Sequence, residues 1–284
     1  MRHTGIYKKI FSLAGSVLIK AILCFYALTI IYPIFWSLMM ALKPNSQIFS
    51  DLWGLPHSLA WDNFARAWAA SKIGRNFLNT VYIDVITNVL ILTVCIPLSY
   101  TLGRYKFKGR RLIKAIIVSG FLFPSMTALI TQYLGLMRLG LTDTFTGLII
   151  LYLAVSITFS VFMLSNFFAG IPSEFEEAAR IEGCGHWRTM LSIGIPMAAP
   201  GITTLTVLQV LSVWNEYQIA LTVLKSPEKR TIAVGVTNML SDIQEYTDWG
   251  AVFAASVILM SMSFLIYAVF QRQISDNVTM GGIK

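Results

Sequence analysis

Six blocks of apolar residues, each about twenty or more long, constrain this chain more than any other feature. They lie at about 17–42, 77–102, 113–134, 145–169, 200–224 and 250–271. A helix of about 20 residues crosses the roughly 30 Å hydrocarbon core of a bilayer, and there every backbone N–H and C=O must be satisfied within the segment. The blocks are therefore read as six transmembrane helices, an all-α polytopic membrane protein. Composition agrees: 56% of residues are apolar and 13% charged, whereas a water-facing domain carries about 25% charged residues. An ordinary cytosolic enzyme is excluded.

Six spans place both termini on one side. With that side cytoplasmic, 14 of the 22 Lys and Arg residues fall inside. Six of these, Arg104, Lys106, Lys108, Arg110, Arg111 and Lys114, crowd the short stretch after the second span, where positive charge is the best guide to orientation. Both termini are expected in the cytoplasm. The net charge of +8 is thereby explained by the membrane, with anionic lipid as the contact and no nucleic-acid face. Cys24, Cys95 and Cys184 show no metal or disulfide spacing. The basic N-terminus leads into an apolar run without a small-residue cleavage pattern, so it reads as an uncleaved first span. Pro33, Pro97 and Pro124 fall within spans and predict kinks. The tryptophan-rich segment 43–76 reads as a chain lying at the headgroup level.

The segment 170–200 differs from the rest. Ser173 followed by Glu176 is a capping-box pattern, and Glu174, Glu176 and Glu177 suit the positive end of a helix. Gly183 and Gly185 stop that helix. A helix of about ten residues is too short to stand alone in water. It must dock, either on this chain or in the groove of a partner.

Glu177-Ala178-Ala179, followed by Gly183 and by Ile193-Gly194-Ile195-Pro196, resembles the EAA loop of the membrane subunits of ABC importers. Phe77-Leu78-Asn79-Thr80, Arg104-Tyr105-Lys106-Phe107-Lys108-Gly109-Arg110, Leu139-Gly140-Leu141-Thr142-Asp143-Thr144, Trp214-Asn215-Glu216-Tyr217 and the tail Thr279-Met280-Gly281-Gly282-Ile283-Lys284 are similar to the maltose-type carbohydrate permeases. The resemblance implies a type I ABC importer permease fold in one transmembrane domain, 1–284, with residues 172–200 as the cytoplasmic coupling loop. It implies that Glu177, Ala178, Ala179, Arg180, Glu182 and Gly183 meet an ATP-hydrolysing subunit, and that Thr279, Gly281 and Gly282 reach between two such subunits. A second permease chain, forming a heterodimer, and an extracytoplasmic solute-binding protein complete the implied assembly. This chain has no P-loop, so it binds no cofactor itself, and ATP and Mg are used by the partner ATPase. The implied function is import of a carbohydrate, of oligosaccharide type, across a bacterial-type cell membrane. Cys184, Ile195 and Ile130-Thr131-Gln132-Tyr133 depart from the family pattern.

Ionisable groups in hydrocarbon cost at least about 2.5 kcal/mol, so Asp84 and Glu216 call for partners. Thr80, Asp84 and Asn88 share one face of the second span, and Gln209, Ser212 and Glu216 one face of the fifth. With Asn79, Gln132, Trp214 and Asn215 they are the candidates for a polar translocation path. The same residues suit hydrogen bonding between helices. An ion-coupled secondary transporter, with Asp84 and Glu216 as coupling acids, is the alternative to an ATP-driven one.

Overall fold

The computed structural model describes residues 3–122, 125–241 and 248–281, with side-chain surroundings for 15–122, 127–239 and 248–271. Among these residues helix is the dominant regular structure, joined by loops, and there is no strand. The helices are α1 (His3–Ala41), α2 (Asn45–Ser50), α3 (Asp62–Ala70), α4 (Ile73–Arg104), α5 (Arg110–Ser119), α6 (Ser125–Arg138) and α7 (Phe145–Ala169). They continue with α8 (Glu174–Ile181), α9 (His186–Thr189), α10 (Ile195–Asn215), α11 (Gln218–Val223), α12 (Ile232–Ser241) and α13 (Trp249–Gly281). Five segments are long and apolar enough to cross a membrane: Gly15–Ala41, Ile73–Arg104, Phe145–Ala169, His186–Asn215 and Trp249–Gln271.

The block at 113–134, where a kinked single span was expected from Pro124, is broken into two helices. Arg110–Leu122 and Thr127–Arg138 stand at 110° to each other, and count as a sixth crossing only if taken together. Pro124 lies outside the described residues. A proline disfavours helical geometry in the residue before it, which gives a sequence-level reason for a break here. Pro33 and Pro97, by contrast, sit inside unbroken helices.

The chain divides into two compact units, residues 1–70 with 242–258, and residues 71–241 with 259–284. In the first, no side chain from 15 to 39 is buried, so α1 offers an apolar surface on every side. The segment 43–70 is folded, which corrects the expectation of a chain merely lying at the headgroups. Its polar residues are satisfied locally: Lys43 is fully buried and donates to Asp51 O at 2.7 Å, and Asn63 Nδ2 donates to Ala41 O and Lys43 O at 2.8 and 2.9 Å. Arg66 Nε pairs with Asp248 at 2.5 Å. Burial works against the Asp248 charge, but hydrogen bonds from Arg66, the Ala251 amide and Asn45 hold its carboxyl below the usual range. Trp53, Trp61 and Trp68 stay exposed.

In the second unit α4, α7 and α10 pack around two apolar clusters. One gathers Ile83, Leu148, Tyr152, Val213 and Val223. The other, toward the end of α4 that bears Arg104 and the following basic run, gathers Ile91, Tyr100, Leu164, Phe168, Met190 and Leu205. We call that the basic end. Gly103 allows a close approach of α4 to α7 there, since a Cβ on it would stand 2.9 Å from Ser165 O and from Phe168 Cβ. At the opposite end Asp143 ties two loops together, accepting from the Lys225 and Ser226 amides at 2.9 and 3.0 Å and from Lys229 Nζ at 3.1 Å.

Candidate coupling surface and translocation path

At the basic end α7 stops at Ala169, and Ser173 starts α8. The backbone makes the start, with the Glu176 and Glu177 amides both donating to Ser173 O at 3.0 Å. The capping box expected from Ser173 and Glu176 does not form, because Ser173 makes no side-chain cap. Glu176 turns inward instead. Its Oε1 accepts from Arg104 Nε at 2.7 Å and from the Tyr100 hydroxyl at 2.9 Å. A buried guanidinium outbids a backbone amide for a carboxylate, since charge-assisted bonds are about twice as strong as neutral ones.

The other end of α8 follows its sequence closely. The Gly183 amide donates to Arg180 O at 3.0 Å and the Cys184 amide to Ala179 O at 2.8 Å. Gly183 adopts φ +81°, the left-handed conformation that this paired closure requires and that glycine enters at no steric cost.

The outcome is a two-faced helix. Glu176 and Ala179 are buried against this chain. Glu177, Ala178, Arg180, Glu182 and Gly183 are exposed. Beside them three large apolar side chains also lie open: Phe175 at 49%, Ile181 at 88% and Trp187 at 68% exposure. Of the six expected coupling residues, Ala179 alone faces inward. Thr279 and Gly281 belong to α13, without described side-chain surroundings, and Gly282 lies outside the described residues.

The polar residues of the long helices form a chain of internal bonds. Asn88 Nδ2 donates to Asp84 Oδ1 at 2.6 Å, both residues being buried. Thr80 Oγ1 donates to Asn76 O and accepts from the Ile232 amide at 2.9 Å, joining α4 to the start of α12. Gln209 bridges α10 to α7, donating to Ser160 Oγ at 3.1 Å and accepting from Ser156 Oγ at 3.0 Å. Trp214 is buried and meets Phe77 edge-to-face at 5.7 Å. Glu216 stands where α10 ends. It accepts from the Ile219 and Ala220 amides at 2.7 and 3.0 Å, capping α11, and from the Tyr152 hydroxyl at 2.6 Å.

Asp84, Asn88, Gln209, Trp214 and Glu216 are thus engaged inside the chain. Asn79, Gln132 and Asn215 keep accessible surface. Asn79 Nδ2 donates to Glu228 O and Arg230 O. Asn215 borders a cleft of about 500 Å³ with Ser263, Phe264 and Tyr267. From sequence Arg104 reads as an orientation charge and Glu176 as part of a capping box; their pairing, and Tyr100 beside them, are not singled out. The signal available was an arginine ending an apolar span beside an acidic helix start, which reads equally as an orientation charge.

A family model described as "Binding-protein-dependent transport system inner membrane component" matches residues 95–277. The chain belongs to this family. It is a multi-pass component of the inner membrane and a transport subunit of an ABC importer, with the type I permease fold. It is 33% identical over 264 residues to the diacetylchitobiose uptake system permease protein NgcG of Streptomyces coelicolor, covering 93% of this chain and 87% of that one. It is 27% identical to the trehalose transport system permease protein SugB of Mycobacterium tuberculosis, covering 89% and 92%. Among solved structures, a bacterial ABC transporter involved in the import of alginate matches with a TM-score of 0.80 and 26% identity, over 93% of this chain and 96% of that chain.

Proposed function

We propose that this chain is one of two permease subunits of an ATP-driven importer whose cargo is a carbohydrate of oligosaccharide type. The cargo class is supported by the names of similar permeases, which include diacetylchitobiose and trehalose systems. A solute-binding protein delivers the cargo outside. In support, a structural neighbour with a TM-score of 0.64 is an alginate transporter in complex with a pentasaccharide-bound periplasmic protein. Residues 1–284 act as one permease domain, with the basic end in the cytoplasm and residues 172–200 as its coupling loop.

The observation that carries this reading is the outer face of α8. Ile181 and Phe175 lie open beside Glu177 and Arg180 on a helix too short to be stable unsupported, and the exposed Glu182, and Trp187 of α9, follow it. Such a face fits a groove in a partner. The partner is an ATPase subunit that holds ATP and Mg; its closure moves α8, and the spans switch between inward and outward opening. The tail at Thr279, Gly281 and Gly282 contacts the same subunits. Glu177 makes the polar contact, Ala178 and Gly183 permit close approach, and Ala179 supports the helix from within. Asn79, Gln132 and Asn215 border the cargo path, while Asp84, Asn88, Gln209, Trp214 and Glu216 keep its walls together.

Uptake of labelled diacetylchitobiose and trehalose by cells lacking and regaining this chain tests the reading. Uptake restored by the chain should survive collapse of the ion gradients while ATP is maintained. Uptake that stops with the gradients and persists without ATP favours an ion-coupled transporter.

A further inference from the structure

Among the described residues, every side-chain hydrogen bond that leaves α8 runs through Glu176. Its partner Arg104 is equally enclosed, each side chain keeping 8% of its surface. The guanidinium does more than neutralise Glu176. Its Nη1 donates to Ile171 O at 2.5 Å and to Phe168 O at 3.3 Å, two carbonyls at the end of α7, the second of which also accepts from the Ile171 amide at 3.2 Å. One side chain, rooted at the last residue of α4, thus grips the end of α7 and the start of α8 together.

Stability alone does not call for this arrangement, because a buried ion pair replaced by well-packed apolar residues is often no less stable. What the pair supplies is geometry. Arginine presents its donors in a rigid planar fork, so the carboxylate and the two carbonyls are held at fixed positions relative to one another. The surroundings stiffen the joint: Gly103 brings α4 against α7, and the Tyr100 ring meets Phe168 and Tyr105 edge-to-face at 5.4 and 5.7 Å. Tyr105 in turn packs on His186 at 4.3 Å, engaging the segment after α8.

We propose that Arg104 is a positioning residue that transmits displacement of α8 into α4 and α7 through its bonds to Glu176, Phe168 O and Ile171 O. This rests on the reading of α8 as the helix moved by an ATPase partner. Without the joint, α8 still presents its outer face and the partner still binds and hydrolyses ATP, but the motion is lost before it reaches the long helices.

The experiment uses the assembled complex in proteoliposomes, with Cys24, Cys95 and Cys184 changed to Ala and spin labels at Leu78→Cys and Leu139→Cys. Both label sites are exposed and lie near the opposite end from Arg104. The probe is ATP with Mg and vanadate, and the readouts are the distance distribution between labels and the rate of ATP hydrolysis. The double variant Arg104→Met/Glu176→Gln strands no buried charge. It should retain ATP hydrolysis and reduce the nucleotide-induced population shift by at least about fivefold, the low end of an allosteric coupling. Arg104→Lys, which keeps the charge and loses the fork, should give a smaller reduction and serves if the double variant does not assemble. A full shift in either variant overturns the inference. A parent complex without any shift instead contradicts the underlying reading of α8.

Discussion

Glu176 and Glu216 begin from the same situation: each is an acid beside a break between helices, and each receives a tyrosine hydroxyl, from Tyr100 at 2.9 Å and Tyr152 at 2.6 Å. They differ in what balances the charge. Glu176 meets Arg104, whose other donors reach a third helix, so the carboxylate becomes part of a joint between separate elements. Glu216 meets the Ile219 and Ala220 amides, so its charge is absorbed by the start of the next helix in sequence. A cation connects parts of the chain that lie far apart in sequence, whereas a backbone cap holds a local turn. The first arrangement suits force transmission and the second suits a fixed wall.

The largest effect should come from unbalancing the first acid. Glu176→Ala leaves Arg104 buried and unpaired, at a cost of about 3–5 kcal/mol, and should lower the unfolding midpoint of the purified chain more than the double variant Arg104→Met/Glu176→Gln does. Equal midpoints would mean that the pair is not enclosed as described. Glu216→Gln should cost about 1–2 kcal/mol by weakening the charge on the α11 amides, while uptake continues. Loss of uptake with an undisturbed fold would make Glu216 an ion-coupling acid and break the contrast. Gly183→Ala forces a side chain into the left-handed region, costing roughly 1–2 kcal/mol; limited proteolysis should cut after α8 sooner than in the parent.

The smallest effect concerns the loops opposite the basic end. Burial opposes the charge on Asp143, yet the hydroxyl and amide of Ser226, the Lys229 ammonium and the Lys225 amide together hold its carboxyl well below the ordinary range. A depressed pKa contributes stability that is fully present above the unfolded value of about 3.9 and is lost only as pH falls through the folded value. Protease protection of residues 224–230 should therefore persist in mild acid, and Asp143→Asn should reduce it at neutral pH. Protection lost near the ordinary carboxylate range would contradict the Asp143 network.

Much of this was legible in the sequence because its cause is local. Apolar block length led to helices at Ile73–Arg104 and Phe145–Ala169, and Gly183 marked the end of α8 through its backbone freedom. What escaped depended on residues distant in sequence. Ser173 and Glu176 form a capping pattern on paper, but Arg104, 72 positions away, takes the carboxylate. The stripe of Thr80, Asp84 and Asn88 was visible by period, yet whether it faces water or protein depends on α7, α10 and α12, whose arrangement no single helix encodes. Lys43 and Asn63 gave no sequence sign that they would be buried in a folded segment.

The most direct measurement is recovery of the tagged chain from native membranes in mild detergent, with its stoichiometric partners identified by mass spectrometry, for the parent and for Glu177→Lys. The account predicts a second permease and a P-loop ATPase with the parent, and loss of the ATPase alone with Glu177→Lys. Equal recovery of the ATPase with both would contradict a docking role for the outer face of α8.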